Sequence, residues 1–521
     1  MIEAEVSENG RTRISAGINP ASFTWHLPPG DSFECPECVM VYSETGLEGM
    51  SHKFHDLYKR YLIPERWYKT VPPVLVNTWE AMYFDVTHAK VLELAKVAAS
   101  CGVEMLVLDD GWFGERNDAT SSLGDWHDNL AKFPDGLPAL VKDVNDVGLK
   151  FGIWVEPEMV SVNSQLYRQH PEWCLNQHGR KFRCEGRNQL VLDFTRIPVR
   201  DYICEKLGAL LSSANIEYMK WDMNRHLTEV YGNEISTEKQ GEVYHRYMVG
   251  VYKVLAWVNH TFPHVRIENC SGGGGRFDPG MLCFSPQIWA SDNTDVFSRL
   301  TIQHGTSLVY PISCIGSHIT SVPNHQTQRL SSLKARFLVA LFGTFGLELD
   351  VCRMTPMERQ ELQVYISKFK ELAPTVLNGR FFRLWSPRKR EQQQGFSWMC
   401  VNTDPEEETA AVVSVILTRT DFGRYLPNLK LRGLEENDQY LVEELFPNTT
   451  LRDRSTGQMH LTGGLPQYQI GLSSARISGS SLMRVGIPVR LSHDGDCCAF
   501  VLKRASKGKT AALPPIPPIP D

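Results

Sequence analysis

Eight short apolar runs between residues 74 and 317 place the strongest restriction on how this chain can fold. Several are rich in β-branched and aromatic residues and almost continuously apolar, which is typical of strands buried on both faces. The runs are VLVNTWE (74–80), MLVLDDGW (105–112), KFGIWVEPE (150–158), QLVLDFT (189–195), EYMKWDMNR (217–225), VRIENCSGGGG (265–275), QIWASDNTD (287–295) and VYPISCIGS (309–317). Helical stretches lie between them, clearest at 87–100, 202–214 and 242–258. Eight strand-then-helix units predict a (β/α)8 TIM barrel, in the α/β class, rather than an open doubly wound sheet.

The rest of the 521-residue chain predicts three further segments. The start reads as strand and loop without a core of its own, and helical patterns at 324–345 and 355–373 would close the barrel. Short alternating runs after the barrel predict a C-terminal all-β sandwich, followed by a proline-rich tail that is disordered or polyproline II. The predicted division is 1–65 (strand, loop and linker), 66–378 (barrel), 379–506 (β-sandwich) and 507–521 (tail).

Composition excludes several classes of function. The net charge is −6 and no basic block stands out, which argues against a nucleic-acid partner. No apolar run approaches the roughly 18 residues needed to cross a bilayer, so no membrane association is expected. The acidic start MIEAEVSENGRTR lacks a signal-peptide core and predicts a cytoplasmic protein, or a secreted one if the natural N-terminus lies further upstream.

The thirteen cysteines are scattered with little regular spacing, as expected of core thiols in a reducing compartment. Cys35 and Cys38 have the spacing of metal ligands, but no second pair follows at a suitable distance. We therefore expect neither a metal nor a cofactor.

Carboxylates and indoles follow the predicted strands where a barrel would carry its active site, at the C-terminal strand ends. Sugars stack their C–H faces on aromatic rings and bond their hydroxyls to charged groups, so this mixture favours a neutral polyol over a phosphorylated ligand. The residues at these ends are Trp79 and Glu80; Asp109, Asp110 and Trp112; Trp154, Glu156 and Glu158; Asp193 and Thr195; Lys220, Asp222 and Asn224; Asn269 and Cys270; and Trp289, Asp292 and Asp295.

Each of these motifs also has a structural interpretation. DDGW (109–112) is typical of a turn or a helix N-cap, and SGGGG (271–275) of a flexible turn, since it lacks the GK[ST] ending of a P-loop. SDNTD (291–295) fits a loop or a divalent-metal site. Their occurrence together at successive strand ends favours the carbohydrate site.

The motifs YMKWDMNR, WASDNTD, LVLDDGWFG, FGIWVEPEMV and ENCSGGGGRFD together resemble the retaining α-galactosidases of glycoside hydrolase family 36, of the microbial type. The resemblance begins near residue 60, includes GSHITSVPNHQTQR (316–329) and GTFGLELD (343–350), and continues more weakly through the C-terminal domain. Members of that type carry an N-terminal β-sandwich that contributes to tetramer assembly, and here only its last portion is expected. Homo-oligomer formation is therefore left open.

The resemblance also implies roles for individual residues. Asp222 matches the nucleophile and Asp292 the general acid/base, whereas Asp109 and Asp110 match the pair that holds the 4- and 6-hydroxyls of galactose. The remaining matches are the pocket walls Trp79 and Trp154, the sugar-contacting Arg187, the hydroxyl ligands Lys220 and Asn224, and Cys270 and Gly273 near the 2-hydroxyl.

The implied activity is release of terminal α-linked galactose from small α-galactosides of the melibiose and raffinose type, by double displacement. Asp292 must be protonated to act, so its pKa is expected to be raised by burial and by Asp222. Three alternatives stay open: a raffinose-synthase-like galactosyl transferase, an α-N-acetylgalactosaminidase, and an inactive, truncated carbohydrate-binding protein.

Overall fold

The computed structural model describes residues 1–177, 183–386, 394–420, 426–446, 450–452, 459–461 and 476–505. The chain divides into two compact units, Met1–Glu371 and Leu372–Asp521. The division falls within the helix Pro356–Asn378. The predicted domain boundaries, at residue 378 and elsewhere, stay predictions.

The first unit contains a closed barrel of eight parallel strands whose order around the barrel follows the chain. In chain order the strands are Leu75–Asn77, Met105–Leu108, Lys150–Val155, Ile216–Trp221, Arg266–Asn269, Gln287–Trp289, Ile315–Thr320 and Thr344–Glu348. The helices that follow them are His88–Ser100, Gly136–Asp146, Ile197–Ser213, Val243–Thr261, Pro279–Leu282, Val296–Thr306, Leu333–Ala340 and Pro356–Asn378. The predicted TIM barrel is confirmed.

Burial of one face stabilises the long helix that follows the fourth strand. In Val243–Thr261 the buried residues include Tyr247, Val251, Val254 and Val258, which are three or four positions apart and share one face. Full burial of an apolar side chain of this size stabilises a fold by roughly 1.5–3 kcal/mol, so such a stripe outweighs the modest helix propensity of its valines. An exposed polar substitution on the opposite face would cost little by comparison.

Side chains fill the interior of the barrel. Leu75, Met105, Val107 and Tyr218 form a buried cluster contributed by the first, second and fourth strands. Tyr218 fits because its neighbour on the third strand is Gly152, where a Cβ atom would come within 2.9 Å of the Tyr218 Cβ. The packed interior leaves the C-terminal strand ends as the place where side chains can meet a ligand.

The assignment of residues 189–195 to a barrel strand is wrong. Within that run, Leu190–Val191 pairs antiparallel with Met159–Val160, outside the barrel. The eighth barrel strand is instead Thr344–Glu348, which begins inside the region predicted as helical and completes the barrel by pairing with the first strand. YMKWDMNR is consequently the fourth barrel strand and not the fifth. Both runs are short, apolar and buried, so periodicity could not separate them.

Residues 1–65 contain more helix than predicted. Ile2–Val6 and Thr12–Ala16 form an antiparallel hairpin, but Gly46–Tyr61 is a helix of sixteen residues. Two residues on the buried face of this helix, Ser51 and His55, are polar. Their side chains are satisfied by the carbonyl oxygens of residues 308 and 307, at 2.7 and 2.9 Å respectively. The helical period was nevertheless present in the sequence, since Leu47, Met50, Phe54 and Leu57 are three or four positions apart, and the prediction missed it.

The second unit is built on a six-stranded antiparallel sheet, and the predicted all-β C-terminal domain is confirmed. The strands in sheet order are Arg380–Trp385, Gly395–Val401, Thr409–Leu417, Cys497–Arg504, Gln439–Leu445 and Arg476–Ser478. Thr450–Arg452 and Met459–Leu461 form a separate two-stranded sheet. The proline-rich tail, 507–521, lies outside the described residues. Within the described part of the chain, no helix is both long enough and apolar enough to cross a membrane.

Candidate active site

The residues implicated by sequence lie where the barrel strands end. Trp79 follows the first strand and Asp109 and Asp110 the second, while Trp154 lies within the third. The other predicted site residues are Arg187 in the connection after the third strand, Lys220 within and Asp222 and Asn224 after the fourth, Cys270 and Gly273 after the fifth, and Asp292 after the sixth. Hydrogen bonds link most of them into three groups, around Asp222, Lys220 and Asp292.

Asp222 is held by four donors. The parallel register places Trp154 beside Lys220, so the indole of the third strand reaches the residue that follows the fourth. Trp154 Nε1 donates to Asp222 Oδ2 over 3.1 Å and Asn224 Nδ2 donates to the same oxygen over 2.8 Å. The backbone N–H groups of Met223 and Gly272 donate to Oδ1, over 2.8 and 3.4 Å. Donors of this kind favour a carboxylate and fix its orientation.

Asn224 connects Asp222 to Arg187, because Arg187 Nη1 donates to Asn224 Oδ1 over 2.8 Å. Arg187 is exposed and its backbone has φ of +55°, a conformation that is uncommon outside glycine. Two neighbouring non-glycine residues, Arg187 and Asn188, share this left-handed region. Such backbone strain is more frequent at binding sites than elsewhere.

Lys220 forms the second group with Asp109. Lys220 Nζ lies 2.9 Å from Asp109 Oδ2, and Asn77 Nδ2 donates to that same oxygen over 2.7 Å. Burial alone would lower the pKa of Lys220, but the carboxylates of Asp109 and Glu348 raise its pKa well above the ordinary value. The ammonium is therefore a fixed positive charge at the barrel mouth.

Asp110 points to a different partner. Arg116 donates to both of its carboxylate oxygens, over 3.0 and 2.9 Å. Burial raises the pKa of Asp110, and the guanidinium of Arg116 partly offsets that effect. The two aspartates of the motif DDGW thus have different partners: Asp109 pairs with Lys220 and Asp110 pairs with Arg116.

Asp292 has fewer partners of its own. Cys270 Sγ lies 3.9 Å from Asp292 Oδ1, and Gly273 N donates to that sulfur over 3.3 Å. The residue as a whole is exposed, yet desolvation of its carboxyl group, followed by the charge of Asp222, raises the pKa of Asp292 to about 6. A carboxyl group of this kind can carry a proton near neutral pH, and one held like Asp222 can act as a nucleophile.

Gly273 allows the segments after the fifth and sixth strands to touch. A Cβ atom at this position would lie 2.7 Å from the Asp292 backbone nitrogen, and its φ of +86° also favours glycine. The glycine run 272–275 is therefore a tight turn against the Asp292 segment. The glycines are needed because two backbone segments approach each other closely here, and not to hold a phosphate.

Trp79 is the predicted site residue with the least contact to the others. It begins the short helix Trp79–Met82 and is half-buried, with its ring edge-on to Tyr83 and Phe84 at centroid distances of 5.2 Å. Its indole is thus fixed at the rim by aromatic neighbours.

Several other residues expected at the rim have structural partners instead. Asp193 lies outside the barrel strands and accepts hydrogen bonds from the N–H and hydroxyl of Thr195, so its predicted place at a strand end is wrong. Asp295 caps the helix Val296–Thr306 and pairs with Arg329 at 2.7 Å. Among the described residues, no group of three or more His, Cys, Asp or Glu side chains is placed to hold a metal ion.

Glu156 supports the Asp222 group and was not assigned a role from sequence. It is fully buried, and its two oxygens accept hydrogen bonds from Asn224 N and, over 3.0 Å, from Gln189 Nε2. Burial, followed by the charge of Asp222, raises the pKa of Glu156 to about 8. Gln189 Oε1 has no partner among the described residues, and a half-turn of that amide would let it accept the Glu156 proton.

These buried carboxyl groups predict an unusual dependence of stability on pH. The pKa values of Glu156 and Glu80 are each raised to about 8, so the folded state keeps protons that the unfolded chain releases near pH 4.5. The stability contributed by these two groups should be greatest near pH 5 and below and should fall as the pH rises to 8, by up to about 1.4 kcal/mol per pH unit for each group. Urea unfolding midpoints between pH 5 and 8 would measure this.

The control for this prediction is Glu156→Gln, which is neutral at every pH. Its unfolding midpoint should fall less steeply with pH than that of the unmodified protein. A midpoint that rises from pH 5 to pH 8, or the same slope in both proteins, would contradict the assignment.

Comparison with known proteins now adds a family to this geometry. Residues 32–379 match the melibiase family, and residues 396–503 match the glycosyl hydrolase family 36 C-terminal domain. The chain is 50% identical over 445 residues to the α-galactosidase AgaA of Geobacillus stearothermophilus, covering 85% of this chain and 60% of AgaA. It is 45% identical over 439 residues to α-galactosidase 1 of Pediococcus pentosaceus, covering 84% of this chain and 59% of that protein.

A crystal structure of AgaA superposes with a TM-score of 0.87 at 45% identity, covering 97% of this chain and 65% of AgaA. Variants of AgaA have also been solved in complex with raffinose and with stachyose. The fold and the site thus define a TIM-barrel protein with a cluster of buried carboxyl groups at the C-terminal ends of its strands. More particularly, the chain belongs to the melibiase family, the group of α-galactosidases in glycoside hydrolase family 36. It spans about 60% of the length of these curated relatives.

Proposed function

We propose that the chain is a retaining α-galactosidase that releases terminal α-linked galactose from oligosaccharides of the melibiose and raffinose type. The observation that carries the proposal is the pairing of two unlike carboxyl groups at the barrel mouth. Asp222 accepts hydrogen bonds from four donors, whereas the pKa of Asp292 is raised to about 6. Two carboxyl groups kept in different protonation states are what a retaining glycosidase requires.

In the first step Asp222 attacks the anomeric carbon of galactose. A bond forms between a carboxylate oxygen and that carbon, and the electron pair of the glycosidic bond leaves on the departing oxygen. Asp292 gives its proton to that oxygen, so the leaving sugar departs as a neutral alcohol. The donors on Asp222 keep the attacking oxygen oriented, since Trp154 and Asn224 both bond to Oδ2.

In the second step Asp292, now ionised, accepts a proton from water as the water oxygen attacks the same carbon. The bond to Asp222 breaks and its electron pair returns to the carboxylate. Two inversions give net retention of the α configuration. Lys220, two residues before Asp222, supplies a permanent positive charge at the barrel mouth in both steps.

The sugar itself would be bound by the remaining charged and aromatic groups. We assign the 4- and 6-hydroxyls to Asp109 and Asp110, which are 3% and 7% exposed and hence give strong bonds to a hydroxyl that displaces water. Trp79 and Trp154 offer rings for the apolar face of the sugar. Cys270, which is 1% exposed, would lie near the 2-hydroxyl.

The relatives support the same substrate class. Both named relatives are α-galactosidases, and AgaA variants hold raffinose or stachyose. A transferase or an α-N-acetylgalactosaminidase on the same site would differ in acceptor or in the 2-substituent. Product analysis with sucrose as acceptor, and comparison of galactose with N-acetylgalactosamine substrates, separates these activities.

The direct test is hydrolysis of 4-nitrophenyl α-galactoside by the purified chain, with the 4-nitrophenyl α-glucoside as comparison. We expect release of nitrophenol from the galactoside and a kcat/KM at least about 10³-fold lower for the glucoside, because its equatorial 4-hydroxyl would not make the hydrogen bonds assigned to the axial 4-hydroxyl of galactose. Folding should be checked by circular dichroism in the same preparation. No turnover by well-folded protein would overturn the proposal.

A further inference from the structure

A second buried carboxyl group, Glu80, lies beside the Asp292 segment and has no part in the mechanism above. It follows the first barrel strand and is 8% exposed, although the adjacent Trp79 is at the rim. Three groups from elsewhere in the barrel approach its carboxyl oxygens. These are the hydroxyl of Thr294 at 2.8 Å, the N–H of Ser321 at 3.4 Å and Nδ1 of His325 at 3.2 Å.

The three groups come from two loops that flank the acid/base. Thr294 lies two residues after Asp292 in the segment 290–295, which we call the acid/base loop. Ser321 and His325 lie in the segment 321–329, which we call the covering loop and which follows the seventh strand. Glu80 is thus the point at which the first strand, the acid/base loop and the covering loop meet.

Further bonds join the two loops directly and show why the contact matters for Asp292. Gln326 Nε2 in the covering loop donates to the backbone oxygen of Asp292 over 2.8 Å. Asn324 Nδ2 donates to Thr294 Oγ1 over 3.0 Å, so the hydroxyl that bonds Glu80 is itself held from the covering loop. In the described part of the chain, the hydrogen-bond partner of the Asp292 side chain is the sulfur of Cys270. The orientation of that side chain therefore depends on the position of the Asp292 backbone.

We propose that Glu80 is a positioning residue for Asp292, and that its carboxyl group fixes the acid/base loop against the covering loop. The inference rests on the proposed function, in which Asp292 protonates the leaving oxygen. It also gives a role to GSHITSVPNHQTQR (316–329), a motif that supplies Ser321, Asn324, His325 and Gln326 to this contact.

The charges around Glu80 agree with such a role. Burial and the nearby carboxylate of Glu348 raise the pKa of Glu80 to about 8, with Lys220 acting in the opposite direction. The remaining titratable neighbours are His325 and Tyr83. The raised pKa favours the protonated form of Glu80 near neutral pH, so the carboxyl group can fix the two loops with less negative charge beside Asp292. A neutral amide should be able to replace it.

The test compares two α-galactosides that differ in their need for an acid. Melibiose releases a sugar alcohol and requires protonation, whereas 2,4-dinitrophenyl α-galactoside releases a stable phenolate and does not. For Glu80→Ala we expect kcat/KM to fall about 100-fold on melibiose and less than about 5-fold on the aryl substrate, since general acid catalysis contributes 10²–10⁴-fold. A merely structural loss would lower both values by the same factor.

Three further variants make the result specific. Glu80→Gln keeps a neutral group with an oxygen for Thr294, and should restore melibiose activity to within about threefold of the unmodified protein. Thr294→Val removes the donor while leaving Glu80 in place, and should show the same preference for the aryl substrate. Glu242→Ala removes a fully buried carboxyl group that bonds His26 N and Arg246, and should leave the ratio of the two activities unchanged.

The outcomes separate this inference from the function on which it rests. Equal losses on both substrates in Glu80→Ala, or in Thr294→Val should Glu80→Ala fail to fold, would overturn the role of Glu80 alone. A Glu80→Gln variant as impaired on melibiose as Glu80→Ala would also overturn it. If the unmodified protein turns over neither substrate, the proposed function fails and the role of Glu80 fails with it.

Discussion

Replacing Asp222 by Gly should lower kcat for α-galactosides by about 10⁴-fold or more, the scale seen when a covalent nucleophile is removed from an enzyme. The reason is geometric and electrostatic. Four donors hold the carboxyl group of Asp222 at the mouth of the barrel. Glycine removes the attacking oxygen and leaves a space beside the anomeric carbon. Steady-state kinetics on 4-nitrophenyl α-galactoside would measure the loss.

Azide provides the control for that variant, because a small anion can occupy the space that the carboxylate leaves. With azide added, Asp222→Gly should regain part of its activity on an aryl galactoside and form the β-galactosyl azide, by a single inversion at the anomeric carbon. Asp193→Asn is the matched control, since Asp193 is also a buried aspartate but bonds Thr195 outside the barrel strands. It should stay active. Full activity in Asp222→Gly, or an α-configured azide, would contradict the assignment of Asp222.

The barrel could be predicted from sequence because its strands are buried on both faces and so appear as continuous apolar runs. The same property caused the error in the assignment of strands. Residues 189–195 and 344–348 are both short and apolar, and only pairing distinguishes them. Thr344–Glu348 pairs with the strands on both sides, whereas Leu190–Val191 pairs with a two-residue segment. Pairing is a long-range property that a local pattern does not contain.

The candidate site divides in the same way. Lys220 lies near the end of the fourth strand and Asp222 and Asn224 follow it at alternate positions, so the period of two residues in the sequence was enough to predict them as neighbours. Their distant partners do not follow from any local period. Glu156 and Glu80 were visible at predicted strand ends, but nothing in the sequence indicated that Glu156 would lie under Asn224 or Glu80 under Thr294. A carboxyl group at a strand end has the same local signature whether it faces a ligand or supports a neighbouring loop.

The conformation of Arg187 was also beyond sequence reasoning. Its left-handed backbone allows the side chain to reach Asn224 from outside the barrel strands. A positive φ at a residue other than glycine is maintained by the surrounding structure, and the sequence GRNQL (186–190) does not encode it locally. Its role in sugar binding stays a proposal.

Replacing Asp292 by Ala should lower kcat/KM on melibiose by about 10³-fold, within the 10²–10⁴-fold range of general acid catalysis. The loss on 2,4-dinitrophenyl α-galactoside should be less than about tenfold, since that leaving group departs without a proton. This variant sets the upper limit for Glu80→Ala, because a residue that positions the acid cannot contribute more than the acid itself. A larger loss in Glu80→Ala than in Asp292→Ala would show that Glu80 acts in another way.

The dependence of activity on pH gives an independent check on Asp292. The acid must be protonated in the first step, and its pKa is raised to about 6, so kcat/KM for melibiose should fall as the pH rises through that value, approaching tenfold per unit above it. In Asp292→Ala this alkaline decline should disappear near pH 6, because the titrating group is gone. A decline near pH 6 that persists unchanged in the variant would assign it to a different group.

Azide added to Asp292→Ala should yield the α-galactosyl azide, the anomer opposite to that from Asp222→Gly, because Asp222 still forms the covalent intermediate and azide then inverts it. The two azide products therefore distinguish the nucleophile from the acid/base within one assay.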